Sequence, residues 1–306
     1  MTNFLPNATV LSSYTLGLDG LGNHTNSVEI QALTPIIPNE TTSYTHDNAN
    51  RLTAVNGAVV AHDNNGNLTA WGADTFRYDA EDRLTNSTVA GVSGVCRYDG
   101  LGNRLSYATN EVERQFVLDR AASLTQVLAE TDASGNIIAY CVYGLGLIQK
   151  ITPDNTVTQY QFDLRGSTGA LTDGSGNITD SYAYDTFGKV ANSDGTTVNH
   201  FLYLGRYGIL DDGNGLSYAR ARYFSSHVSR FLTLDPFTGE DGDNQSLNRY
   251  IYALNNPLAF KDISGLSPGV NGDGSGKTED TRFTILLRRD SPTSSDSPEG
   301  RFHQSC

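Results

Sequence analysis

The chain has one methionine, one tryptophan, few lysines and only three cysteines among 306 residues. An odd cysteine count does not build a disulfide framework, and no CxxC or Cys/His spacing suggests zinc. A Cys96–Cys141 bridge is open to the sequence, but free, buried or half-buried thiols fit it better. No run approaches the ~20 apolar residues of a membrane-spanning helix. The start, MTNFLPNATVLSSY, has no basic region ahead of an apolar stretch, so no signal peptide is expected there. Charged residues are 18% of the chain, too few for a charge-rich disordered protein. The net charge of -13 argues against a nucleic-acid partner, because phosphate binding needs clustered Lys and Arg.

What is abundant points to strands and turns. There are 16 Tyr, 12 Phe and 31 Gly, with many Thr and Val. No stretch before residue 245 has a convincing helical period; the weak candidate is Asp119 to Glu130, which reads equally well as strand and turn.

A short phrase recurs along the chain. An aromatic or polar residue is followed by Asp, two residues, Gly or Asn, one residue, and then an apolar one. Its clearest forms are Tyr98-Asp99-Gly100-Leu101-Gly102-Asn103-Arg104-Leu105 and Tyr78-Asp79-Ala80-Glu81-Asp82-Arg83-Leu84. In the related phrases at 46–52 and 62–68, His46 and His62 stand in the aromatic position, as aromatic substitutes and not metal ligands. Later copies begin at Phe162 and Tyr184. The aspartates at 47, 63, 79 and 99 are separated by 16, 16 and 20 residues. That is too short for a propeller blade of ~40 residues and too irregular for a tight β-helix. It fits one hairpin per repeat. The Asp side chain caps the turn, and Gly or Asn supplies a positive φ. The aromatic before the turn and the apolar residue after it then form a cross-strand pair.

Residues 205–266 lack this period and are denser in Tyr and Arg. They contain Arg220-Ala221-Arg222-Tyr223-Phe224, Arg230-Phe231-Leu232-Thr233-Leu234-Asp235-Pro236, Asn248-Arg249-Tyr250-Ile251-Tyr252-Ala253 and Asn255-Asn256-Pro257. With the repeats before it, this ordered set resembles the Rhs and teneurin-type YD-repeat proteins and their Rhs repeat-associated core. The resemblance reaches Leu266.

The resemblance implies an all-β fold, in which YD hairpins build one long spiralling sheet around a partly polar hollow and the core segment closes one end. A plain β-sandwich is the competing architecture. The expected organisation is a shell over residues 1–204, the core over 205–266, and a variable, mostly disordered tail over 267–306. Only Arg282 to Arg289 of that tail looks able to form a strand. The resemblance also implies that cargo-enclosing members are much longer than 306 residues, so a fragment, a shortened gene or a partial shell with exposed strand edges is expected.

The resemblance also implies chemistry. In the toxin-associated branch the core is similar to an aspartyl autoprotease that cuts after Asp-Pro-x-Gly-Leu. Here that motif stands as Asp262-Ile263-Ser264-Gly265-Leu266, with Ile263 in the proline position. The expected catalytic residues are Asp235 and Asp262, with Arg222 as the nearby cation. The expected scissile bond is Leu266–Ser267. Two close carboxylates share one proton, so one serves as base and the other as acid. The competing reading makes both aspartates turn caps and Arg222 a structural ion-pair partner.

No cofactor is implied. Gly274-Ser275-Gly276-Lys277-Thr278 lacks the leading Gly of a phosphate loop, and residues 271–282 lack the closing Glu of a calcium loop. Glu240-Asp241-Gly242-Asp243-Asn244 reads as a solvated acidic loop, with calcium binding as the weaker alternative. The expected partners are the chain's own C-terminal tail or upstream repeats. In the alternative function, a non-enzymatic adhesion module, the partner is a glycan or surface protein. A further alternative is a remnant of a recombining toxin gene. A secreted or cell-surface location follows from the resemblance alone.

Overall fold

A computed structural model describes residues 2–4, 10–18, 24–39, 41–239 and 245–266. The expected tail at 267–306, the acidic loop at 240–244, the phosphate- and calcium-loop patterns and Cys306 lie outside them.

The described chain is nearly all β. A small antiparallel sheet joins Thr2–Phe4, Val10–Leu18 and His24–Ile30. A second sheet has sixteen strands, from Tyr44–His46 to Val190–Asp194, each paired with its neighbours in sequence. The sheet does not close: those two strands are its edges. A four-stranded meander follows, made of Leu210–Asp211, Leu216–Ala219, Arg222–Ser225 and Arg230–Phe231. Among the described residues the helical elements are two short 3-10 turns, Gly205–Tyr207 and Ala253–Asn255. The candidate helix at 119–130 is not one. Val112–Asp119 and Gln126–Asp132 are paired strands, so cross-strand pairing overrides the weak local helical preference.

The repeat phrase works as a turn device. Asp79 Oδ1 accepts the backbone N–H of Glu81 and of Arg83, each at 3.0 Å. Asp99 does the same for Leu101 and Asn103, each at 2.9 Å. The backbone bonds Asp79 N to Arg83 O and Asp82 N to Asp79 O complete the loop. Counted from the Asp, the fourth residue takes positive φ: Asn50 at 61°, Gly66 at 87°, Asp82 at 59° and Gly102 at 86°. This is why the sequence holds Gly, Asn or Asp there.

The expected cross-strand pairs form as His46–Leu52, His62–Leu68 and Tyr78–Leu84. Each coincides with a register irregularity just before the aromatic residue. A bulge bends its strand and increases local twist. Repeated at one end of successive hairpins, it curls the sheet. Tyrosines then bind adjacent hairpins: Tyr78 Oη donates to Leu68 O at 2.8 Å and Tyr98 Oη to Leu84 O at 2.7 Å.

The concave face is filled, not empty. Leu52, Phe76, Phe116, Tyr160 and Leu171 of the long sheet share one core with Phe201, Leu216, Tyr223 and Leu232. The core segment seats on the sheet end that carries the aromatic-Asp turns. Tyr250 Oη donates to Gly66 O at 2.7 Å, Arg230 Nη1 to Asn50 O at 3.0 Å, and Arg206 N to Gly166 O at 3.0 Å. The expected polar inner face is therefore largely apolar here, because the core segment takes the place of solvent. Its buried polar residues include two ionic groups, Arg104 with Asp212 and Glu130 with Arg114 and Lys150. Cys96 and Cys141 are separate buried thiols.

Candidate functional site

Arg222 opens a four-residue strand entered through a tight turn at Arg220 and Ala221. Its side chain is buried, with the guanidinium 3.7 Å from the centre of the Phe231 ring. Burial lowers its affinity for its proton, against the opposing pull of Asp235 and Asp262. Nη2 lies 2.6 Å from Asp235 Oδ2 and 3.5 Å from Asp262 Oδ2. The three sequence-predicted residues thus meet at one guanidinium nitrogen.

Asp235 follows the strand Arg230–Phe231. Pro236 has no N–H, so Asp235 Oδ1 caps the next one, Phe237 N, at 2.8 Å. Arg249 Nε donates to the backbone carbonyl of Asp235 at 2.7 Å, which fixes this corner from behind.

Asp262 Oδ1 closes a turn on the residues that follow it. It accepts Gly265 N at 2.8 Å, Ser264 Oγ at 3.1 Å and Ser264 N at 3.2 Å. Burial pushes its carboxyl up to about 6; Arg222 and the bonds from Ser264 and Gly265 pull the other way. This group keeps its proton far closer to neutrality than an ordinary Asp.

Gly265 has φ 73°. A Cβ there would stand 2.1 Å from Ala219 O and 2.8 Å from Arg222 N, so only glycine passes between segment and hairpin. Arg222 Nε donates to Gly265 O. Leu266, the residue before the expected scissile bond, borders a cavity of about 330 Å³ that is also lined by Tyr98, Asn103, Thr125, Tyr218 and Arg222. Ser267 lies outside the described residues.

The chain's similarities to known proteins agree with this architecture. The Teneurin YD-shell family model matches residues 31–258. The chain belongs to the YD-shell family. A tRNA3(Ser)-specific nuclease WapA of Bacillus spizizenii is 34% identical over 223 residues, which are 71% of this chain and 9% of the relative. A double-stranded DNA deaminase toxin A of Burkholderia cenocepacia is 26% identical over 225 residues, 63% of this chain and 15% of the relative. The crystal structure of TcdB2-TccC3 superposes with a TM-score of 0.56 at 16% identity, covering 86% of this chain and 18% of that one. That likeness concerns the fold. The YD-shell chain thus spans a small fraction of the length of these relatives. Among its described residues no helix is long and apolar enough to cross a membrane.

Sequence reasoning gave no role to several buried charges of this YD-shell chain. Arg104 stands opposite Tyr98, where the earlier repeats place leucine, and not Leu105 as the repeat phrase suggests. Aligning the phrases on register instead of on the next apolar residue would have found it. Glu130 is fully buried between Arg114 at 3.0 Å and Lys150 at 2.8 Å. Arg220 binds carbonyls distant in sequence, and no local pattern announces that.

Proposed function

We propose that this YD-shell chain encloses or presents a C-terminal polypeptide and cuts itself once, between Leu266 and Ser267. The observation that carries the reading is the convergence of Asp235 and Asp262 on Arg222, with Gly265 held by the same guanidinium. Secretion or surface display, and association with further shell repeats, belong to the same proposal.

The chemistry follows from the protonation states. Asp262 holds a proton at mildly acidic pH and donates a hydrogen bond to the scissile carbonyl. Asp235, paired with Arg222, acts as base and takes a proton from a water molecule. The resulting hydroxide adds to the Leu266 carbonyl carbon. The C–N bond to Ser267 then breaks, its nitrogen takes a proton from the acid pair, and a carboxylate is left on Leu266. Because the substrate is tethered, no binding step is needed and a modest catalyst suffices.

Intact mass tests the reading. The purified wild-type chain should separate into pieces ending at Leu266 and beginning at Ser267, whereas Asp235→Asn and Asp262→Asn should stay whole. A wild-type mass that remains that of 306 residues through long incubation at pH 5 to 7 would sink the proposal.

A further inference from the structure

Three consecutive residues hold three consecutive carbonyls. Arg220 Nη1 donates to Ile263 O at 2.6 Å, Ala221 N donates to Ser264 O at 3.1 Å, and Arg222 Nε donates to Gly265 O. The donors sit at the tip of one hairpin. A slip of the 263–265 segment by one residue would misalign all three bonds, so this hairpin reads the register of the chain leading to Leu266.

Arg222 is accounted for by the acid pair; Arg220 is not. Its backbone lies at φ 56°, in the left-handed region that Gly and Asn enter most readily and that other residues adopt at a cost. Residues kept in such conformations are held by their surroundings and gather at functional sites. Here the surroundings are backbone carbonyls. Besides Ile263, Arg220 donates from Nε and Nη2 to Thr125 O at 3.2 and 3.0 Å, and from Nη2 to Tyr207 O at 2.6 Å. One side chain thus ties the segment ahead of Leu266 to a turn of the long sheet and to the 3-10 turn Gly205–Tyr207.

We propose that Arg220 is a positioning residue for the self-cleavage reaction. It sets the register of residues 263–265 so that the Leu266–Ser267 bond meets the acid pair. It does through the carbonyl of Ile263 what a proline ring at 263 would do by fixing φ. The inference rests on the self-cleavage reading.

The test pairs two variants in the full chain, Arg220→Met and Ile263→Pro, made singly and together. Arg220→Met should slow cutting about tenfold or more. It should also spread the cut over neighbouring bonds, giving products that differ by single residues in mass. Ile263→Pro should recover both the rate and the single cut in the Arg220→Met chain. Slower cutting at an unchanged single position, with no recovery by Ile263→Pro, would be the behaviour of a merely structural residue and would overturn the role.

A second measurement needs no cleavage. In the Asp235→Asn chain, Arg220→Met should raise amide exchange at Ser264 to Leu266 about tenfold, leaving the strands between 168 and 184 unchanged. No change, or an equal rise throughout, would overturn the inference. A wild-type chain that never cuts removes the reaction and with it this role, while the exchange experiment still decides whether Arg220 fixes the segment. The two failures are therefore distinguishable.

Discussion

Arg104 Nη1 meets both carboxylate oxygens of Asp212, at 2.8 and 2.9 Å, with each side chain 2% exposed. Tyr223 Oη accepts from the same nitrogen at 2.6 Å, and the guanidinium lies 4.4 Å from the centre of the Tyr218 ring. The pair joins the long sheet to the hairpin whose next strand begins with Arg222. Removing one partner leaves a buried charge without compensation, which costs about 3–5 kcal/mol. Arg104→Met should therefore destabilise the chain by that amount in urea unfolding. The double change Arg104→Met, Asp212→Leu should recover most of the loss. A single substitution that leaves the midpoint in place would show the pair to be irrelevant to stability.

The turn device makes a second, local prediction. Asp79 Oδ1 accepts two backbone N–H groups, and Oδ2 accepts Arg83 Nε at 2.7 Å. Asp79→Ala removes all three hydrogen bonds and should cost about 1–2 kcal/mol, the scale of a lost helix N-cap. Asp79→Asn keeps one oxygen and should cost less. Thermal unfolding of both variants checks the order, and an Ala variant as stable as the wild type would contradict the capping role.

These turns were legible because everything they need lies within five residues. Asp47, Asp63, Asp79 and Asp99 announce the cap, and Asn50, Gly66, Asp82 and Gly102 announce the positive φ. The curl of the sheet was less legible, since it arises from the bulges before His46, His62 and Tyr78, which only pairing reveals. The apolar filling of the concave face depends on residues 201–232 folding back onto strands that include some more than a hundred positions earlier, such as those of Leu52 and Phe76. Asp235 and Asp262 stand 13 and 40 positions from Arg222, with no period to link them, so family resemblance alone singled them out. Arg220 carries no such mark. Its acceptors are the carbonyls of Thr125, Tyr207 and Ile263, which any residue could provide.

Gly265 allows a sharper test of the cleavage geometry. An added Cβ would have to displace Ala219 O or Arg222 N, both backbone atoms that cannot swing aside. A displacement on the order of 1 Å costs a reaction about 100-fold. Gly265→Ala should therefore slow the appearance of the Ser267 product by about that factor. The unfolding midpoint should fall as well, because alanine must hold φ 73° against backbone atoms. Equal rates for wild type and Gly265→Ala by intact mass would show that this passage does not set the geometry of the cut.

Asp262 fixes the direction of the pH dependence. Its folded carboxyl titrates at about 6, against an ordinary value of 3.8, with burial as the leading cause. At this group the folded chain binds more protons than the unfolded chain between those values, so its contribution to stability falls as pH rises through that window. This contribution is fully present below about 4 and lost above about 6, and a shift of this size is worth about 3 kcal/mol. Asp235→Asn, expected to remain uncut, should accordingly be less stable in urea at pH 7 than at pH 5. The decline should become shallower when Asp262→Asn is added, while Asp211, pushed up to about 7 by burial, still contributes in the same direction. The cutting rate carries the same sign. If protonated Asp262 is the acid, the rate after refolding from urea should hold below pH 6 and drop about tenfold for each unit above it. A rate that instead climbs between pH 6 and 8 would exclude protonated Asp262 as the group that polarises the Leu266 carbonyl.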